Sequence, residues 1–187
     1  MRIKSLFVVL LLSCFASAGT LSGTVQGTGQ SAVVLESVPA KSFPAPTAKA
    51  AIDQTHLVFV PTLLVIQAGT TVTFNNNDAA AHNVFWPSIS GNKKLAHNLG
   101  TFPKGESREF KFVTPGNAPL LCNVHPEMSA NIVISPSPYF ATTDASGKYS
   151  IADVPDGQYK VTVWNSGKST TQSVTVKGDT PLNLTAK

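Results

Sequence analysis

Short apolar runs separated by Gly, Pro or Asn dominate the hydrophobic pattern of this chain. The clearest runs are β-branched or aromatic and cover residues 58–60, 63–66, 71–74, 110–112 and 132–134. Runs of this kind are typical of strands, and 13 Gly and 13 Pro supply turns between them. No amphipathic helix is predicted. The pattern therefore predicts an all-β protein, built as an antiparallel sandwich or barrel.

A second set of short strands is predicted after residue 139. Turn sequences at residues 144–147 and 154–157 flank one strand, and residues 159–164 then alternate between apolar and polar. Further short strands are expected near the C-terminus. Tyr159 and Trp164 are expected to be packing residues of this small all-β module.

Two proline-rich stretches divide the chain. Residues 41–49 are rich in Pro and Ala and are expected to be extended, and residues 135–138 form a second stiff break. Between them lies a block that starts near residue 50. The chain is thus expected to hold one larger β domain, over residues 50–136, and a smaller β module.

The first 18 residues carry the pattern of a secretory signal. Arg2 and Lys4 precede an apolar run over residues 6–15, and residues 16–18 read Ala-Ser-Ala, a small-residue cleavage site. The apolar run is only about half as long as a bilayer span requires. We therefore expect export to the periplasm or beyond, with no integral membrane segment in the mature chain. A lipoprotein signal that ends in a lipidated Cys14 is the less favoured alternative.

Charge is sparse and argues against nucleic acid as a partner. Charged residues make up 13% of the chain, and the formal net charge is +4. Because Arg2 and Lys4 would leave with the signal, the mature chain would carry about half of that charge. This basicity is too weak and too scattered for a nucleic-acid surface.

A cluster of soft metal ligands is the main candidate for chemistry. Cys122, His125 and Met128 follow one another at three-residue spacing, and His82 lies about forty residues upstream. After signal cleavage Cys122 would be the only thiol in an oxidising compartment, so no intramolecular disulfide could form. A Cys with two His and a weak axial Met is the ligand pattern of blue-copper electron-transfer sites. The sequence thus predicts one mononuclear type 1 copper held by these four residues.

The loop around these ligands is short and stiff. Cys122 is expected to end a strand, and Pro126 fixes φ next to His125 and removes a donor beside the ligand. A buried inert thiol is the simplest alternative for Cys122. Zinc would gain little from a thioether, and a Cys-His nucleophilic pair would leave His82 and Met128 unexplained.

The remaining histidines and the aromatic residues after His82 are not expected to form a second metal site. His56 and His97 lie far apart and lack carboxylate partners in sequence, so a second, catalytic copper is not expected. Phe85 and Trp86 follow His82 closely. They could assist electron transfer or docking, but packing in the core is the favoured interpretation.

These motifs make the block from about residue 50 to 134 resemble the cupredoxins. Its Cys-x-x-His-x-x-Met loop is similar to that of the amicyanins. The resemblance implies a Greek-key β-sandwich, with His82, Cys122, His125 and Met128 as the copper ligands. It also implies that Asn83, which follows His82, lies behind the ligands and fastens the two ligand loops together.

The smaller module resembles the carboxypeptidase regulatory-like, transthyretin-like modules. Those modules begin with Gly-x-Val, which occurs here at residues 23–25, at the other end of the mature chain. We therefore expect a discontinuous module of residues 19–40 with 137–187, into which residues 50–136 are inserted. Alternatively, residues 33–35 form the first strand of the metal-binding sandwich.

The expected function is one-electron transfer by an exported carrier, not catalysis. The expected partner is a periplasmic redox protein, for example a cytochrome or a dehydrogenase. Glu127 departs from the apolar surface that docking would favour, and an acidic residue there would affect partner choice. The alternatives are copper handling without redox turnover, and a docking module in which the metal is only structural.

Overall fold

The computed structural model describes residues 17–36 and 42–187. Most of the predicted signal peptide, including Cys14, lies outside this part of the chain. Nearly all regular structure in the described residues is β-strand, with one short 3₁₀ turn at Lys93–Leu95. No helix in this part is long and apolar enough to cross a membrane.

The strands are numbered in chain order. They are β1 Ala18–Gln26, β2 Ser31–Leu35, β3 Ala50–Thr55, β4 Val58–Val60, β5 Leu63–Gln67, β6 Thr70–Asn76, β7 His82–Trp86, β8 His97–Phe102, β9 Ser107–Phe112, β10 Gly116–Leu121, β11 Ser129–Ser135, β12 Phe140–Thr142, β13 Lys148–Pro155, β14 Gly157–Asn165, β15 Lys168–Val176, β16 Thr180–Pro181 and β17 Leu184–Thr185. The predicted all-β class is confirmed.

The strands form four sheets. The first sheet has the order β4-β3-β6-β9 and the second β5-β11-β10-β7-β8. The third has the order β12-β2-β14-β15, and the fourth is β13-β1-β16 with β17 also paired to β1. Strands from both ends of the described chain thus share the third and fourth sheets, because β1 pairs with β13 and β2 pairs with β12 and β14.

The first two sheets enclose the larger core. Alternate residues of their strands face inward, as a period of two requires. The aromatic part of this core contains Phe59, Phe74, Trp86, Phe102 and Phe112, all fully buried. Cys122 and Met128 belong to the same cluster, which ties the ligand loop to a packed interior.

The third and fourth sheets enclose a second core. Tyr159, Val161 and Val163 of β14 all point into it, as the alternation in the sequence predicted. Leu21 of β1 and Ile151 of β13 pack against them from the fourth sheet.

A third apolar cluster joins the second sheet to the third, so the four sheets are stacked. Val133 of β11 packs there with Ala32 and Val34 of β2. Trp164 packs against this cluster, not inside the smaller module as the sequence suggested, because successive residues of β14 face opposite sides.

The proline-rich stretch at residues 135–138, which was predicted to be a stiff break, is fixed by hydrogen bonds. The Ser135 hydroxyl donates to the Ser137 carbonyl at 2.7 Å, and the Ser137 hydroxyl donates to the Leu35 carbonyl at 3.0 Å. Both serines are buried. This stretch therefore contributes to the contact between the two sandwiches.

Candidate metal centre

Three strand ends bring the sequence-predicted ligands together. β7 begins at His82, β10 ends at Leu121 directly before Cys122, and β11 begins directly after Met128. β10 pairs with β11 along its whole length and with β7 at Leu121 and Phe85. The loop of residues 122–128 therefore folds over one end of the second sheet, next to His82.

His82, Cys122 and His125 form a compact donor set. One ligand atom from each residue lies within 4.8 Å of the other two. The two Nδ1 atoms of the histidines are 2.9 Å apart, and their ring centroids are separated by 4.7 Å. His82 is fully buried and Cys122 is 3% exposed, whereas His125 is partly exposed. A thiolate and two imidazoles at this separation fit a single soft metal ion such as copper.

Met128 lies at the base of the same loop. It is 1% exposed, and its backbone N–H donates to the His125 carbonyl at 3.0 Å. This hydrogen bond closes a tight turn between the two residues. The thioether is thus part of the core that contains Cys122.

Asp78 fixes the orientation of the His82 ring. Its Oδ2 atom lies 3.1 Å from His82 Nε2 and accepts a hydrogen bond from the Leu57 backbone N–H at 2.8 Å. The Leu57 N–H, followed by the His82 ring, lowers the pKa of Asp78 to about 2, so the group is a carboxylate. A carboxylate only accepts hydrogen bonds, so Nε2 carries the proton and the Nδ1 lone pair is left for a metal.

Asn83 connects the two ligand-bearing segments. Its backbone N–H donates to the Cys122 sulfur at 3.4 Å, and its Oδ1 accepts from the Asn123 N–H at 3.4 Å. Its Nδ2 donates to Asn98 Oδ1 at 2.8 Å. These bonds link β7, β8 and the ligand loop.

The outer side of the loop is mixed in character. Pro126 and Glu127 are exposed, and Val124 is 50% exposed. Leu57, whose N–H contacts Asp78, is 40% exposed. The partly exposed His125 ring thus lies in a loop that presents both an apolar and an acidic side chain.

The other histidines remain apart from this centre. His56 sits in the turn between β3 and β4 with a φ of 50°, and its Nδ1 is 3.2 Å from the Thr55 hydroxyl. His97 stacks on Trp86 and Phe110, with ring centroids 5.3 and 4.6 Å away. Among the described residues, the His82 group alone brings together three His, Cys or carboxylate side chains at metal-binding distances.

Asp78 is the residue that sequence reasoning missed. The available signal was weak, since Asp78 and His82 are four residues apart across a polar turn, with no helix to place them on one face. The turn after β6 folds back so that the carboxylate meets the ring. Trp86 is fully buried, and its indole N–H donates to the Leu95 carbonyl at 3.0 Å, which agrees with the packing interpretation.

Comparisons with known proteins match both parts of the chain. Residues 46–135 match the family of copper binding proteins, plastocyanin/azurin family, and residues 125–187 match the carboxypeptidase regulatory-like domain. The plastocyanin of Scenedesmus fuscus is 36% identical over 84 residues, which cover 42% of this chain and 86% of that protein.

Solved structures give likenesses over a similar share of the chain. The purple cupredoxin from Nitrosopumilus maritimus is 25% identical with a TM-score of 0.42, covering 46% of this chain and all of that chain. A reduced amicyanin mutant is 21% identical with a TM-score of 0.43, covering 55% of this chain and 97% of that chain.

The match to plastocyanin spans 86% of that protein. The segment that matches the plastocyanin/azurin family, residues 46–135, contains His82, Cys122 and His125. The match to the carboxypeptidase regulatory-like domain begins within this segment, at residue 125, and continues to residue 187. The chain belongs to the plastocyanin/azurin family of copper-binding proteins.

Proposed function

We propose that this protein is a one-electron carrier with a single type 1 copper ion held by His82, Cys122, His125 and Met128. The observation that supports this most is the convergence of two imidazoles and one thiolate within 4.8 Å, over a closed apolar core. Copper in such a set supplies one-electron redox chemistry, since soft and borderline ligands suit both of its oxidation states.

The residues around the donor set would keep its geometry constant. Asp78 holds the proton on His82 Nε2, and the Asn83 N–H partly neutralises the Cys122 sulfur. The Met128 turn and Pro126 restrict the loop. A rigid donor set lowers the rearrangement that accompanies electron exchange.

His125 is the expected route for electrons between the centre and a partner. It is the one partly exposed member of the His82, Cys122 and His125 set, and the preceding residue, Val124, supplies exposed apolar surface. We propose a periplasmic redox protein, such as a cytochrome or a dehydrogenase, as the partner, and no catalytic role for the chain itself.

The burial of the donors argues against copper handling. Release of an ion to an acceptor needs ligands that the acceptor can reach, yet His82 and Cys122 are almost fully covered. We therefore favour a resident copper over a copper cargo.

A visible spectrum of the copper-loaded protein tests the proposal. We expect an intense thiolate-to-Cu(II) absorption that ascorbate removes and reoxidation restores, and we expect Cys122→Ser to abolish it. A protein that binds Cu(II) but stays colourless would contradict the carrier role. Preferential Cu(I) uptake followed by transfer to a chelator would favour copper handling.

We also propose export and a discontinuous domain arrangement. The basic and apolar pattern of residues 1–18 supports a cleaved signal and a periplasmic location. The pairing of β1 with β13 and of β2 with β12 supports one module from residues 19–40 and 137–187, with residues 50–136 as the inserted copper domain.

A further inference from the structure

A groove opens at the edge of the larger sandwich, between β8 of the second sheet and β9 of the first. It has a volume of about 230 Å³. Its lining includes the apolar residues Leu95, Phe110 and Val113, and Val113 is 65% exposed. We call this the basic groove, defined by Lys94, Leu95, His97, Phe110, Lys111 and Val113.

The cations of the basic groove are not neutralised. Lys94 and Lys111 line it, Lys93 lies beside it, and none of them forms an ion pair within the described residues. The sequence has no Asp or Glu between Asp78 and Glu106. Glu109, the nearest carboxylate along β9, already binds Lys49 at 3.1 Å.

The walls of the basic groove are held rigidly. The exposed His97 ring lies 4.6 Å from the Phe110 ring and 5.3 Å from the Trp86 ring, measured between centroids. The Trp86 indole N–H donates to the Leu95 carbonyl, which anchors the 3₁₀ turn carrying Lys94. A surface already ordered in this way loses little conformational entropy when a partner binds.

We propose that the basic groove docks an acidic protein surface. Carboxylates of the partner face Lys94 and Lys111, and one apolar side chain enters between Phe110 and Val113. An apolar centre with charge at its rim is the usual composition of a protein interface, and opposite charge speeds encounter.

This inference rests on the proposed function only in taking the partner to be a redox protein. Trp86, whose ring packs against His97 of the groove, is the last residue of β7. His82 is the first residue of β7, and the length of this strand separates the two residues by roughly 13 Å. The groove is thus separate from the loop surface around His125.

The test is an NMR titration of the metal-free full chain with a short synthetic peptide that places four glutamates around one phenylalanine. We expect shifts at the amides of Lys94, His97, Lys111 and Val113, which weaken as salt is added. Lys94→Glu with Lys111→Glu should weaken binding by about tenfold or more.

A matched control changes charge elsewhere by the same amount. Lys168→Glu with Lys177→Glu alters two exposed lysines of the smaller module and should leave binding nearly unchanged. Equal losses in both double variants, or shifts centred on Val124, would overturn the proposal.

Folding and metal binding are checked separately. Lys94→Gln with Lys111→Gln, which introduces no repulsion, should give an intermediate loss and a native amide spectrum. Because the titration needs no copper, a colourless Cu(II) protein would refute the carrier role without altering this result.

Discussion

At Asp78 a single side chain joins two turns to a buried histidine. Oδ2 meets His82 Nε2 and the Leu57 N–H, and Oδ1 accepts from the Ala79 N–H at 2.7 Å. Carboxylate partners of this kind orient a ligating ring and raise its basicity. The orientation and basicity of the His82 ring therefore depend on a residue that is not one of the proposed ligands.

Asp78→Ala is expected to weaken copper binding by roughly 10- to 100-fold, because the His82 ring loses the acceptor that fixes its orientation and tautomer. The midpoint potential should rise, since a negative charge that favours Cu(II) is removed. Competition with a chelator and redox titration measure the two effects.

Two further variants separate the effect of the Asp78 charge from the effect of its hydrogen bond to His82. Asp78→Asn keeps an oxygen acceptor and should retain more of the copper affinity than Asp78→Ala. Glu127→Gln removes a charge from the ligand loop at an exposed position without contacting His82. If Glu127→Gln matches Asp78→Ala in affinity, the hydrogen bond to His82 is not the cause.

Asn83→Ala tests the link between the ligand loops. It removes the hydrogen bonds to the Asn123 N–H and to the Asn98 side chain, at a cost of about 0.5–1.5 kcal/mol per bond in unfolding free energy, since both partners are exposed and water can replace Asn83. The backbone N–H to Cys122 persists, so the thiolate absorption should keep its position. Denaturant unfolding and the rate of copper loss measure the change.

Asn83→Asp retains the oxygen that accepts from Asn123, but it replaces the donor to Asn98 with a buried carboxylate. Because burying a charge without a cationic partner is unfavourable, this variant should lose more stability than Asn83→Ala. An unfolding free energy for Asn83→Ala equal to that of the unaltered protein would show that these side-chain bonds contribute nothing.

The proposed ligands could be selected from the sequence because most of their signal is local. Cys122, His125 and Met128 lie within one loop, and their chemistry restricts the metal regardless of the surrounding fold. Asp78 could not be predicted, because its contact depends on how the turn after β6 folds against the β3–β4 turn. The residues around a ligand are determined by the tertiary fold, whereas the ligands themselves can partly be recognised from the local sequence.

Among the elements, β11 is the strand shared by two cores. Ala130, Ile132 and Ile134 face the larger core, while Val133 faces the cluster between the sandwiches. β2 has the same character, since all five of its residues are buried. Strands covered on both faces appear in sequence as continuous apolar runs.

Adjacent substitutions in β11 should therefore differ in effect. Ile132→Ala creates a cavity below the ligand loop and should cost about 2–5 kcal/mol in unfolding free energy. Val133→Ala removes fewer atoms from the intersandwich cluster and should cost less, without changing the copper absorption. Denaturant unfolding and the visible spectrum distinguish them, and a greater loss for Val133→Ala would contradict the assigned faces.

Only the end of β10 was predicted from the sequence, where Cys122 was expected to end a strand. The strand contains Pro119 and begins with Gly116, and both residues argue against a strand inside a sheet. β10 pairs with β7 only at Leu121, so the missing N–H of Pro119 interrupts no ladder on that side. By contrast, β4, β6 and β9 were predictable because their β-branched and aromatic residues are uninterrupted or alternate.

At the scale of the molecule, residues 17–36 and 42–187 form a stack of four sheets with an apolar contact between two sandwiches. Leu63, Val65 and Val133 of the second sheet face that contact. A side-chain hydrogen bond also joins β10 to β11, where Asn117 Nδ2 donates to Asn131 Oδ1 at 3.0 Å. The smaller module thus covers a face that the larger sandwich would otherwise expose.

A chain restricted to residues 42–136 is expected to self-associate, because Leu63, Val65 and Val133 become an exposed apolar patch. Size-exclusion chromatography with light scattering measures the effect. Replacing all three residues by Thr should restore a monomer with unchanged copper absorption. A monomeric unaltered fragment would show that the contact is not needed for solubility.

The pairing of β2 with β12 has a consequence for how such a chain can be assembled. Phe140 lies opposite Val34, and the Leu35 N–H donates to the Tyr139 carbonyl at 3.0 Å, so the intervening hundred residues leave and return at neighbouring positions. A tight turn could close the same gap. A segment whose two ends lie close together therefore fits between β2 and β12 without disturbing the pairing of these strands.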